Sequence, residues 1–439
     1  MSGHRGPQDR DAGAEPRLRT LVDALEREFL GQLDGSPEVR SDLFLPRVDA
    51  QDCTTVWTAD PHGLVDGDGR IHRPAADGAG AAVRLTARVE GPAGAVQRTF
   101  DLMLPPLPVA DEPFGYLMVH FVETQEEGGE QVHFSLSDGD DPLHWYRLND
   151  GRPVLWSEHG TRGVRDPQIV RSPHGDRFHI VATDEQVRVN GWEGTTTRAS
   201  RHMEVWSSDD LVTWGPQHHV LLMDDRAGMV WAPEAVHDPG RGEYLLHWTS
   251  NLHPEGADRS VEQDMKIFRA WTRDFLHVST PEVWMEAAAD PALSGSMLDS
   301  TVTFHDGFFY RFVKGVVDGC FDETGSPLGD VFVERSATLD APMSGWERVA
   351  AGITYRATGH HPYEGPLVFR THRGDRWFMF ADHHGDGPPG YVPFTTGDIA
   401  SDDWSRVADD ASGIPPRTKH GSVLPLTRSE WVRLRDHRW

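Results

Sequence analysis

The sequence predicts an all-β protein: a five-bladed β-propeller closed by the C-terminal strand, preceded by a small β-sandwich and an N-terminal helix. Three observations predict it. The 439 residues include 15 Trp, 19 Phe, 44 Gly and 31 Pro, a mixture that suits many short strands joined by turns. From Gly115 onward a strand-rich unit of roughly 60 residues recurs five times. The first copy lacks a leading strand, while a strand near the C-terminus has no copy to belong to.

The elements follow in order. Residues 1–16 are polar and Gly-rich and read as disordered. Leu18, Leu21, Val22, Leu25, Phe29 and Leu33 form a helical stripe, with Pro16 suited to a first turn and Gly35 to a stop. Residues 1–42 are therefore a disordered start and an amphipathic helix. Within 43–106, the patches Thr54–Thr58, Ala82–Val89 and Gln97–Leu104 alternate apolar and polar residues. Turn signals at Asp60-Pro61, Gly67-Asp68-Gly69 and Gly91-Pro92 separate them, which predicts a small sandwich. Pro105–Pro113 reads as a stiff linker, and the repeats fill 113–439.

Bulky turn positions mark the repeat at Trp145, Trp214, His277, Trp346 and Trp404, with spacings of 69, 63, 69 and 58. Two strand-like runs precede each turn, for example "DRFHIVATD" and "HMEVWSSDD". One such unit cannot bury both faces of its own sheet, so five copies imply a radial array; a long sandwich with accidental spacing is the alternative. Four copies open with an apolar strand headed by a carboxylate: Asp166, Glu234, Asp299 and Glu364, separated by 68, 65 and 65. "KHGSVLPLT" supplies the missing strand of the first blade and removes the open edges, which puts His420 at the fifth equivalent place.

The innermost strands of such a ring run side by side, so these five residues converge on one central depression. Clustered carboxylates raise one another's pKa, which can hold one protonated while another stays ionised. Glycosidic cleavage needs that division: one acid protonates the leaving oxygen while one base activates water. Each residue also has a plainer reading. Asp166 could be the acceptor of an Asp-Pro turn, Asp299 a turn cap, and Glu364 the partner of a rim Arg. Glu234 reads equally as a sugar-hydroxyl acceptor or a structural partner. His420 reads as a ligand of sugar, water or metal, or as a core histidine. Trp231 could stack on a sugar or fill a gap between blades, and Lys314 could meet a substrate hydroxyl. The string "ADHHGDG" (Ala381–Gly387) reads as a loop.

Two resemblances sharpen this. The spaced Leu-Pro, Trp, Gly-x-Ile and Leu-Thr-Ala positions of 43–106 resemble the atrophied bacterial immunoglobulin-like domain, which often precedes glycosidases. The strings "GVRDPQIVRSPHGDRFHIVATD", "VWAPEAVHD", "LDSTVTFHDGFFYRFVKG", "YEGPLVF" and "KHGSVLPLT" resemble, in family order over about 115–430, glycoside hydrolase family 43. That resemblance implies an inverting five-bladed propeller acting on terminal arabinofuranosides or xylosides. It puts the general base on Asp166, the residue that tunes and orients the acid on Asp299, and the general acid on Glu364. It allows a structural calcium ion on the axis near His420, with no cofactor required. Two positions depart from the pattern: Lys419 stands where Arg is usual, and Glu234 where Asp is.

Composition bounds the partners. With 42 Lys+Arg against 69 Asp+Glu the net charge is −27, which repels nucleic acid and anionic membranes but leaves oligosaccharides open. Cys53 and Cys320 lack the spacing of a disulfide framework or zinc site. The first residues lack an apolar signal core, which predicts a cytoplasmic protein. The expected function is an exo-acting α-L-arabinofuranosidase on short plant-derived oligosaccharides; a β-xylosidase or a catalytically silent carbohydrate-binding propeller are the alternatives. A protein-interaction propeller is disfavoured, since it needs no axial carboxylates. The oligomeric state is left open.

Overall fold

The structure is a computed structural model that describes residues 14–48, 50, 52–289, 295–316, 329–360, 363–384 and 390–439. Of the stretch read as disordered, 1–13 lie outside the described residues, as does Cys320; Cys53 is a free, half-buried thiol. The chain divides into two compact units. One comprises the chain up to Ala110 with Ser172–Arg177 and Arg273–His277; the other comprises Asp111–Arg171, Phe178–Thr272 and Val278–Trp439.

The first unit joins helix α1 (Ala14–Gly31) to a three-stranded antiparallel sheet of β1 (Thr54–Asp60), β2 (Ala81–Gly91) and β3 (Gly94–Leu104). Strand alternation buries Val83, Leu85, Ala87 and Val89 of β2 on one face. The helical stripe Leu18, Val22, Leu25 and Phe29 shares their core, with the Phe29 ring 4.4 Å from Phe100 and 5.0 Å from Trp57. The expected sandwich is therefore corrected: among the described residues there is one sheet, and the helix covers the apolar face that a second sheet would cover.

The second unit is built, among the described residues, from five four-stranded antiparallel sheets. β4 (Pro113–Val122), β5 (His133–Ser137) and β6 (Trp145–Arg147) begin the first; β7 (Val164–Arg171), β8 (Phe178–Asp184), β9 (His202–Ser208) and β10 (His218–Leu221) form the second. The third is β11 (Trp231–Asp238), β12 (Glu243–Ser250), β13 (Lys266–Thr272) and β14 (Glu282–Met285). The fourth is β15 (Ser296–His305), β16 (Phe308–Val316), β17 (Val331–Ser336) and β18 (Glu347–Ala350). The fifth is β19 (Tyr363–Arg370), β20 (Trp377–His383), β21 (Gly390–Thr396) and β22 (Ser405–Arg406). The C-terminal β23 (Thr418–Thr427) pairs with β4, Ser422 opposite Val119, and completes the first sheet.

Each sheet is buried by its neighbours. Phe309 and Val313 of β16 pack with Trp284 and Ile267 of the third sheet, whereas Tyr310 and Phe312 pack with Met379 and Phe394 of the fifth. The period of two thus sends alternate residues of one strand into two different cores. The leading strands touch in a cycle: β23 meets β7, β7 meets β11, β11 meets β15, β15 meets β19, and β19 meets β23. Among the described residues no helix is long and apolar enough to cross a membrane.

Candidate active site

Every leading strand carries one extra residue at the same place. Registers shift between Arg165 and Gln168, Trp231 and Glu234, Leu298 and Ser300, Glu364 and Leu367, and Lys419 and Gly421. These are β-bulges, which bend a strand and re-aim a side chain. The bulged residues are Asp166, Ala232, Asp299, Gly365 and His420, and the first four have positive φ, from 46° to 54°. This corrects the expected equivalence. Asp166, Asp299 and His420 occupy corresponding places, but Glu364 lies one residue before its bulge and Glu234 two residues beyond the corresponding Ala232.

In three of the sheets a second-strand side chain secures the next bulge. Thr183 Oγ1 accepts the Ala232 N–H at 2.7 Å, Thr249 Oγ1 the Asp299 N–H at 3.1 Å, and Asp382 Oδ2 the His420 N–H at 3.1 Å. The corresponding residue of the fourth sheet is Lys314, opposite Leu298, whose ammonium cannot accept. There Asp299 Oδ2 accepts the Gly365 N–H instead, at 3.0 Å. Gly365 has no substitute: a Cβ at this position would stand 2.7 Å from Cγ of His420.

The bulges surround a cavity of about 120 Å³ lined by Asp166, Asp299, Glu364 and His420 together with Trp231, Asp382 and Lys419. Phe121, Arg165, Thr183, Glu185, Trp192 and Leu298 complete the wall. Of the residues singled out in the sequence, Glu234 and Lys314 do not line it. Glu234 is buried and accepts from Gln168 Nε2 at 3.1 Å. Lys314 is buried, its Nζ donating to the Gly329 carbonyl at 2.7 Å.

The carboxyls differ in charge state. Burial pushes Asp166 up, but His420 at 3.3 Å, Arg165, and the Thr183 hydroxyl at 2.9 Å outweigh it and hold Asp166 below the usual carboxylate range. Burial, then Asp382 and Asp299, push Glu364 up to about 8 against Lys419 and Lys314. Asp299 rises to about 6, through burial and the charges of Asp166 and Asp382, opposed by His420 and the Gly365 N–H. Burial raises Glu234 to about 8 as well. One carboxylate is therefore kept ionised and another kept protonated around a single small cavity, the combination acid–base chemistry requires.

A calcium ion held by His420 does not fit this arrangement. Calcium takes oxygen ligands, whereas His420 Nδ1 faces Asp166 Oδ1 at 3.3 Å and Asp299 Oδ1 at 3.9 Å. Burial lowers the imidazole pKa, but Asp299, Asp166 and Asp382 outweigh it and raise it to about 10, leaving a cation without a lone pair. His420 serves as the counter-charge of the two carboxylates. A group with cation-site spacing, Asp184, Glu204 and His219, lies outside this cavity wall. Its carboxylates already accept from Thr161, Gln217 and His219.

Several lining residues escaped the sequence reading. Asp382 lies on β20 within the string read as a loop, whose residues 385–387 fall outside the described ones. Its Oδ1 is 2.6 Å from Lys419 Nζ, so the residue that departs from the family's Arg neutralises a buried carboxylate. Alternation was the available signal: Thr183 and Glu185 of "ATDE" share one side of the chain, and the cavity lies on that side.

Known protein families match both parts of the chain. Residues 111–432 match the family model described as a probable glycosyl hydrolase domain, related to glycoside hydrolase family 43, and 22–106 match the atrophied bacterial Ig domain. An α-L-arabinofuranosidase of Bifidobacterium longum subsp. longum is 28% identical over 334 residues, 70% of this chain. The matched region spans only 30% of that relative's length. Among solved structures, the catalytic domain of a Coprinopsis cinerea GH62 α-L-arabinofuranosidase has a TM-score of 0.40 at 15% identity, covering 61% of this chain and 74% of that one. An α-L-arabinofuranosidase from Lactobacillus brevis has a TM-score of 0.41 at 13% identity, covering 63% and 92%. By its match over most of its length, this chain belongs to the glycosyl hydrolase domain family related to glycoside hydrolase family 43.

Proposed function

We propose that the chain is an inverting exo-glycosidase that removes terminal pentosides, α-L-arabinofuranosides, from short plant-derived oligosaccharides. The carrying observation is the pair of opposite pKa shifts on one cavity wall, Asp166 held down and Glu364 raised to about 8. In this reading the five sheets are the blades of a propeller, and the cavity is the open end of its axis. Water polarised by ionised Asp166 attacks the anomeric carbon while Glu364 gives its proton to the departing oxygen. Asp299 holds the backbone beside Glu364 through the Gly365 N–H and, by its charge, adds to burial and Asp382 in keeping Glu364 protonated. No step passes through a metal or a cofactor.

The cavity supports the exo mode. At about 120 Å³ it is far below the roughly 300–1,000 Å³ of sites for drug-sized ligands, which suits one sugar ring better than a polymer. The arabinose choice rests on the Bifidobacterium relative, an α-L-arabinofuranosidase. Chromogenic α-L-arabinofuranosides and β-D-xylosides assayed side by side test the substrate. Proton NMR of the first-formed anomer tests the stereochemistry. Turnover of the arabinofuranoside with inversion is expected. Activity on neither sugar overturns the proposal, preference for xylose moves it to the β-xylosidase alternative, and retention of configuration makes Asp166 a nucleophile.

A further inference from the structure

Among the described residues, a carboxylate oxygen of the cavity-lining Glu185 has no hydrogen-bond partner. Glu185 follows the last residue of β8 and is 5% exposed, and its side chain lines the cavity that holds Asp166 and Glu364. Its Oε1 accepts the backbone N–H of Gln186 at 3.2 Å, while Oε2 is shut off from bulk water and accepts no hydrogen bond among the described residues. A buried carboxylate oxygen left unpaired is costly, and native structures rarely tolerate one without a ligand or water to fill it.

Ring contacts and an ion pair hold the wall around it. The Arg165 guanidinium lies between the rings of Phe121, at 4.4 Å, and Trp192, at 5.1 Å, and donates to Glu130 Oε1 at 2.7 Å. Trp192 lines the same cavity yet is 59% exposed, an aromatic face presented at the mouth. Burial, with Asp184 and Glu130 nearby, pushes the Glu185 carboxyl up to about 7 against Gln186 and Arg165, so near neutrality it can accept or donate a hydrogen bond.

We propose that Glu185 is a substrate-specificity residue whose unpaired carboxylate oxygen bonds one hydroxyl of the sugar in the cavity, with Trp192 as the platform beside it. The inference rests on the pentosidase reading and deepens it. A site built to bond a hydroxyl rejects the sugar that lacks it, because the protein group is then left unpaired.

The test is a cycle of protein and substrate changes. Wild type, Glu185→Ala and Glu185→Gln are assayed with 4-nitrophenyl α-L-arabinofuranoside and its 2-, 3- and 5-monodeoxy analogues. Glu185→Ala should lower kcat/KM for the parent about 10- to 100-fold. For one analogue, already slow with wild type, the same variant should cost less than about twofold, because the bonding partner is already gone. A structural role would instead lower all four substrates alike, and that result overturns the inference, as does an unchanged parent rate. Should Glu185→Ala fail to fold, Glu185→Gln keeps the shape and completes the cycle. Wild type inactive on every pentoside would overturn the underlying reading, and this inference with it. Wild type active with a Glu185→Ala loss that ignores the deoxy position overturns this inference alone.

Discussion

Asp299 accepts the backbone N–H of Gly365 at 3.0 Å, and Gly365 is the residue after Glu364. In the other sheets where this bond is seen, a second-strand Thr or Asp makes it. Lys314 removes that acceptor here, and a carboxylate from the preceding leading strand takes over. One side chain thereby positions the backbone beside Glu364 and also contributes to its raised pKa.

Asp299→Asn separates those two effects. The amide oxygen still accepts the Gly365 N–H, but the negative charge is lost. The alkaline limb of the kcat/KM profile, set by Glu364 near 8 in the wild type, should move to lower pH. The rate should fall mainly in kcat, by roughly 10²-fold or more. An unshifted limb would show that Asp299 does not act on the acid's charge.

Glu364→Gln removes the proton donor. Substrates with a poorly departing alkoxide should slow by about 10²–10⁴-fold, while a 2,4-dinitrophenyl glycoside, which leaves unprotonated, should lose far less. The alkaline limb should vanish from the variant's profile on that substrate. Equal losses on both substrates would remove Glu364 from the acid role.

The sequence made the sheets legible because each must bury both faces against its neighbours, so the pattern repeats. The pairing of β23 with β4 followed from one strand missing and one left over. The site was less legible because a bulge is a count of residues on two paired strands, and one strand's sequence does not display it. Asp166, Glu234, Asp299 and Glu364 matched as strand-leading carboxylates, yet only Asp166 and Asp299 stand on bulges. Asp382 was missed because it falls in the string read as a loop, and Glu185 because it directly follows the apolar strand run "HIVATD", which reads as core.

Gly365→Ala tests the bulge directly. The position has φ of +54°, and the new methyl would meet the His420 ring. Strain and collision together should destabilise the chain by about 1–3 kcal/mol in urea unfolding. Activity should fall beyond what the lost stability explains, since His420 neutralises Asp166 and Asp299. A variant as stable and active as wild type would mean the ring relocates freely.

Glu234 gives a prediction about stability alone. Burial raises its pKa from the ordinary 4.5 to about 8, so the folded chain holds this proton more tightly than the unfolded chain. The stability contributed by that proton is fully present below pH 4.5 and is lost as pH rises through about 8. Glu234→Gln carries no such proton. Relative to this variant, wild type should therefore weaken between those limits by up to about 1.4 kcal/mol per pH unit. Urea unfolding of both chains at a series of pH values reads the difference directly, because every other titrating group is common to the two. Curves that stay parallel from pH 4.5 to 8 would show that Glu234 is ionised in the fold and paired with a cation.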